Sequence, residues 1–116
     1  MFVQEAELEL AAVGDSRAPG GVVTIFLCGH WEHEGQCRWP HHTAVDKRSG
    51  SRITVRTIFA CDPNDEQLIR QRISAGLRSG RLQGPSGLTT WTVLREAADA
   101  VRADEQLLAQ RLADFS

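Results

Sequence analysis

Val22-Val23-Thr24-Ile25-Phe26-Leu27-Cys28 runs directly into Gly29-His30-Trp31-Glu32-His33-Glu34-Gly35-Gln36-Cys37-Arg38-Trp39-Pro40-His41-His42, and the reading of these two neighbours decides the fold. The first is apolar apart from Thr24 and far too short to cross a bilayer. Its β-branched residues and two apolar faces predict an interior strand. The second opens a segment, 29–50, with little periodicity of either kind. A connection of that length inside a small domain is unusual unless something orders it.

What could order it is a metal. All four histidines, two of the three cysteines and two of the three tryptophans fall between Cys28 and His42. Zinc takes thiolate and imidazole in sets of four, whereas calcium and magnesium want oxygen. Cys28 and His30, two apart at the end of a strand, would point to the same side. Cys37 and His41 form a second pair, with Gly35 letting the chain fold back. The expected zinc ligands are therefore Cys28, His30, Cys37 and His41, with His33 and His42 as alternates.

Outward from this centre the chain alternates between recognisable elements. Residues 4–13 place Ala6, Leu8, Leu10 and Ala12 against Glu5, Glu7 and Glu9, the period of a half-buried strand. Gly14 to Gly21 reads as a loop. Residues 51–61 alternate again, with Ile53, Val55, Thr57 and Phe59 opposite Arg52, Thr54 and Arg56. Opposite charges favour placing this strand beside the first.

Asp62-Pro63 starts a helix that buries Leu68, Ile69, Ile73 and Leu77 and stops near Gly80. A turn follows at 83–87, then a strand over 89–94 and a second helix over 96–113. The expected fold is α+β and a single domain over 1–116. It has a mainly antiparallel sheet of three or four strands, two helices on one face, and the metal-ordered loop 29–50.

Composition sets the outer bounds. Hydrophobic content of 41% with 24% charged residues excludes wholesale disorder. The acidic N-terminus does not read as a secretory signal, which makes a cytoplasmic protein the expectation and membrane association not expected. Three cysteines, an odd number, argue against a disulfide framework there. The net charge of −2 divides into −5 over residues 1–35, +6 over 36–95 and −3 over 96–116. If the strands ending at Cys28 and Cys61 pair antiparallel, Cys61 lies at the opposite edge, away from the ion; a parallel arrangement would bring Cys61 to the site. Placed before a helix start, its thiol pKa would fall if the sulfur reached the free amides. The plainer reading is an inert strand-end cysteine.

Cys28-x-His30-x-x-His33, followed by Cys37, resembles the middle ligands of RING fingers of the two-histidine type. The opening Cys-x-x-Cys and the closing cysteine pair of that family are absent, so a two-zinc cross-brace is not implied. His30-x-Glu32 similarly resembles the zinc deaminases, whose Glu shuttles protons beside a His ligand, but the Pro-Cys-x-x-Cys that follows there is missing.

Three functional expectations result. The first is a non-catalytic zinc-binding module whose ordered loop presents Trp31, Arg38 and Trp39 to a protein partner. The second is a zinc-dependent hydrolase using Glu32 or Glu34 as general base. The third is a nucleic-acid binder using Arg38, Lys47, Arg48, Arg52 and Arg56, weakened by a pI near 6.1.

Overall fold

The alternation of the first strand is realised in β1 (Phe2–Leu10), which buries Ala6, Leu8 and Leu10 on one face and turns Glu5, Glu7 and Glu9 to the other. The computed structural model describes residues 1–11, 14–28, 39–85 and 87–114. After β1 come α1 (Ala18–Cys28), β2 (His41–Ser49), β3 (Arg52–Phe59), α2 (Glu66–Ser79), β4 (Arg81–Gly84), β5 (Gly87–Asp99) and α3 (Gln106–Asp114). Short 3-10 turns at Pro63–Asp65 and Ala103–Glu105 lead into α2 and α3.

The five strands form one sheet in the order β2-β3-β1-β5-β4, every neighbour antiparallel. Strand order and connections through β1-α1-β2-β3-α2-β5 follow the split β-α-β, ferredoxin-like pattern, with β4 added at one edge. The fold is thus α+β as expected, but among the described residues it has five strands rather than three or four and three helices rather than two.

The expected neighbourhood of the first and third strands is present. Glu5 stands opposite Arg56 and Glu9 opposite Arg52. Arg52 pairs with Glu9 at 3.4 Å and Glu7 at 3.7 Å. Charge alternation on two strands therefore specifies a register as well as a pairing.

Residues 22–28 are helical, not an interior strand. α1 buries Ala18, Pro19, Val22, Val23 and Leu27, a stripe at helical spacing against the sheet. Residues 18–21, expected as loop, form its first turn, where Pro19 lacks only an amide that no helical carbonyl would receive. Residues 41–49 of the expected loop 29–50 form β2, paired with β3. The hairpin joining them closes through Gly50-Ser51, with Ser49 opposite Arg52. Gly50 has φ +62°, which suits the first central position of a type II′ turn.

The Asp62-Pro63 start is confirmed. The Asp62 carboxylate accepts from the Asn64 amide at 2.9 Å, and Gly80 closes α2 in the left-handed conformation. The final segment differs again: β5 continues to Asp99, so the last helix begins at residue 106 instead of 96.

The main core lies between one sheet face and α1 and α2. Phe59, Leu8, Ile53, Val55, Val23, Ile69, Ile73 and Leu77 are its largest fully buried members. α3 covers part of the opposite face through Ala109 against Val3 and Ile58. α1 therefore takes the second helical place on the core face, and the C-terminal helix stands on the other side.

Candidate functional site

A partly polar cleft of about 410 Å³ lies between α1 and β2. It follows from the sequence of both elements. Gly20 and Gly21 give α1 a wall without side chains, while His41 and Thr43, alternate residues of β2, turn toward it. Gly20 lies closest, since a methyl group there would meet Thr43 Cβ at 3.4 Å.

Its polar groups are held in place. His41 Nδ1 lies 3.0 Å from the Trp39 carbonyl, which can only accept, so the proton is on Nδ1. His41 Nε2 lies 3.1 Å from Thr24 Oγ1, which also reaches the Gly20 carbonyl at 3.2 Å. A neutral ring takes the Thr24 proton, and a charged ring donates to Thr24 while that hydroxyl turns to Gly20. Thr43 Oγ1 and Thr57 Oγ1 share a cross-strand bond of 2.8 Å. At the mouth, Arg17 is committed to Asp15 at 3.2 Å, and this pairing holds the Asp15 carboxyl below its usual range.

The sequence-derived ligands are distributed as follows. Cys28 ends α1, half-buried against the core, and is disulfide-bonded. His41 begins β2 and lines the cleft. His42 is exposed, bordering both the cleft and a smaller depression with Arg56, Asp104, Glu105 and Leu108. His30, His33 and Cys37, with Trp31, Glu32, Glu34 and Arg38, lie outside the described residues. No group of three or more His, Cys, Asp or Glu side chains suited to a metal occurs among the described residues.

The separation argued for Cys61 does not hold. Because 22–28 is a helix returning along β1, its end at Cys28 reaches the sheet end where Phe2 pairs with Phe59 and Phe59 with His41. Cys61 follows β3 at that same end, and both cysteines pack against the main core. The Cys61 sulfur is a free thiol, and burial pushes its pKa up, reinforced by Asp65 and Glu66. The helix start does not activate it.

Two further assignments change. Trp39 is 5% exposed and has Arg72 stacked 4.9 Å from its ring centre, so it belongs to the core and is not displayed to a partner. Arg56 is buried among carboxylates, which removes it from any nucleic-acid surface, and Arg52 is taken up by Glu7 and Glu9. No family model, curated protein or solved structure matches the chain. No helix among the described residues is long and apolar enough to cross a membrane.

Ser16, Gly20, Thr24 and Thr43 are among the cleft residues that sequence reasoning missed. The signal for Gly20 and Thr24 was the α1 stripe Ala18, Val22, Val23, Leu27, hidden in a run where almost every residue is apolar.

Proposed function

We propose that this chain is a non-catalytic binding module that engages a protein partner at the cleft between α1 and β2. The observation that carries this reading is the cleft itself. It is preformed, of ligand-binding size, and walled by glycine, and its imidazole and hydroxyls are fixed by mutual hydrogen bonds rather than set against a nucleophile or acid–base pair.

The test uses a displayed library of random twelve-residue peptides. Enriched peptides should shift the amide resonances of Thr24, Thr43 and Val45 and bind Gly20→Ala at least about fivefold more weakly. Helix propensity makes that variant no less stable, by roughly 0.5–1 kcal/mol in its favour, so the loss reports filled space. Equal binding to both proteins, or shifts confined to other elements, rejects the reading.

A second reading, zinc binding, is favoured by the return of Cys28, His41 and Cys61 to one sheet end, bracketing a segment whose sequence holds His30, His33 and Cys37. The Nδ1–H of His41 held by a carbonyl is also how metal-ligating imidazoles are oriented. The disulfide at Cys28 withholds its thiolate, so the reading applies to the reduced protein. Elemental analysis of protein purified under reductant should give stoichiometric zinc, lowered by Cys37→Ala, and a chelator should lower the melting temperature. Metal-free reduced protein whose melt ignores chelator ends the zinc reading and leaves the cleft reading intact.

A further inference from the structure

The outer edge of β2 is the feature that says how a partner would sit. β2 is the last strand of the sheet on its side, paired only with β3 among the described residues. Such an edge presents a row of backbone donors and acceptors able to template another strand. Its two halves differ. Between Val45 and Lys47 the ladder with β3 shifts register, leaving Asp46 as the extra residue of a bulge. Beyond it come Lys47 and Arg48.

Bulges and edge cations are the devices by which proteins protect an open strand, and here both are confined to residues 46–49. His41 to Val45 carries neither and runs beside the cleft. From these observations we infer that β2 takes an extended acidic segment of a partner protein by strand addition. The segment pairs with residues 41–45, seats alternate side chains in the α1–β2 cleft, and places its carboxylates against Lys47 and Arg48. This rests on the cleft reading above and specifies its partner.

Charge decides the occupant. Asp46 is held by Arg102 at 2.7 Å, and among the described residues the Arg48 guanidinium bonds only to the Gly50 carbonyl, at 3.2 Å. No carboxylate pairs with Lys47 or Arg48 among the described residues. They border a shallow depression of about 550 Å³ shared with Glu7, Ser49, Arg52 and Thr54, where Glu7 is already bound by Arg52 and Arg95. Two cations at one end of an otherwise neutral edge select a strand that is acidic at the matching end. A second copy of β2 offers them only His41 to Val45, with no acid, and its own bulge interrupts the ladder. All neighbours in the sheet are antiparallel, so the incoming acids lie at the N-terminal end of the segment.

The probe is the capped peptide Glu-Asp-Glu-Thr-Val-Thr-Val-Ser, titrated by fluorescence anisotropy against the full chain. The same peptide with three lysines in place of its acids, and one N-methylated at alternate residues, serve as comparisons. The acidic peptide should bind at least about tenfold more tightly than the lysine peptide, weaken as salt rises, and reverse its preference on Lys47→Glu with Arg48→Glu. N-methylation should cost about tenfold, the effect of one or two lost backbone hydrogen bonds. Two-dimensional NMR spectra of the charge-reversal variant, unchanged away from β2, show that it remains folded. Equal affinity for the acidic and lysine peptides, no binding at millimolar concentration, or indifference to N-methylation overturns strand addition. If library peptides still shift Thr24 and Thr43 while this probe fails, the cleft reading survives alone; if neither touches the cleft, both are lost.

Discussion

Arg56→Ala should destabilise the protein by roughly 3–5 kcal/mol, the range for breaking a buried ion pair by removing one partner. The Arg56 side chain is 2% exposed, and every one of its N–H groups is used. Nε and Nη2 hold Glu105 at 2.9 and 2.8 Å, Nη1 holds Glu5 at 2.8 Å and also Asp99, and the second Nη2 proton goes to the Ala100 carbonyl at 3.0 Å. One side chain of β3 thus ties together β1, the end of β5 and the turn that leads into α3. Its removal leaves Glu5 with only Arg102 at 3.6 Å as a cationic partner, and leaves Glu105 and Asp99 with only the backbone amides of Arg102 and Ala100, at 2.9 and 2.8 Å, among the short bonds of the described residues.

Thermal melts should show a fall on the order of 10–20 °C, with hydrogen exchange accelerating first in α3. Arg52→Ala, which removes exposed pairs with Glu7 and Glu9, is the control and should cost less than about 1 kcal/mol. A loss below that for Arg56→Ala would mean the cluster is neutral to stability.

The same cluster sets the acid limb of stability. The hydrogen bond from Arg56 is the largest cause holding both Glu105 and Asp99 below their ordinary carboxylate pKa. A carboxyl depressed in the folded state contributes stability that is complete above its unfolded pKa, near 4, and lost as pH falls through the folded value. Wild-type stability should therefore decline from about pH 4–5 downward, and the decline should flatten in Arg56→Ala, measured by urea unfolding at a series of pH values.

What the sequence made legible depended on whether an element had two distinct faces. β1 and β3 each carry charge on one side and apolar residues on the other, so both elements and their neighbourhood could be read from Glu5, Glu7, Glu9, Arg52 and Arg56, while the register came only with the structure. α2 has a capped start, a stripe in which Ile69, Ile73 and Leu77 are buried although the expected Leu68 is exposed, and a terminal glycine. α1 lacked contrast: from Val22 to Cys28 nearly every position is apolar, and Gly20-Gly21 disfavours helix. Tertiary packing, not propensity, makes it helical.

β2 failed for the opposite reason. As an edge strand exposed on most of its length it shows no apolar alternation, and its one signal was the turn at Gly50-Ser51. In β5 the register with β1 skips Leu94, so Trp91 and Val93 fall out of phase with the residues that follow, and the helix-forming Ala97 and Ala98 disguise the rest. The cleft was invisible because it lies between α1 and β2. The cysteine and histidine cluster was legible as chemistry, but its geometry depended on the direction in which residues 22–28 return, which the strand reading reversed.

Gly80→Ala should cost roughly 2–4 kcal/mol, and Gly50→Ala only about 1, although both glycines have left-handed backbones. Gly80 has φ +71° and Gly50 φ +62°, so the conformational penalty for a side chain is similar at both. The space differs. A Cβ at Gly50 meets nothing within 4 Å, whereas at Gly80 it would stand 2.8 Å from the Trp91 carbonyl oxygen, a backbone atom that cannot swing aside.

That contact sits at a junction. The Gly80 carbonyl accepts from the Trp91 amide at 2.9 Å, and the Leu77 carbonyl one turn earlier accepts from both the Gly80 amide at 3.2 Å and the buried Trp91 indole at 2.7 Å. Pushing Trp91 away weakens all of these at once and separates the end of α2 from β5. The difference between the two variants in urea unfolding isolates the steric part from the backbone part. Equal losses would show that the junction yields freely, and that the α2–β5 contact is held by side-chain packing around Trp91 instead of by the close approach of two backbones.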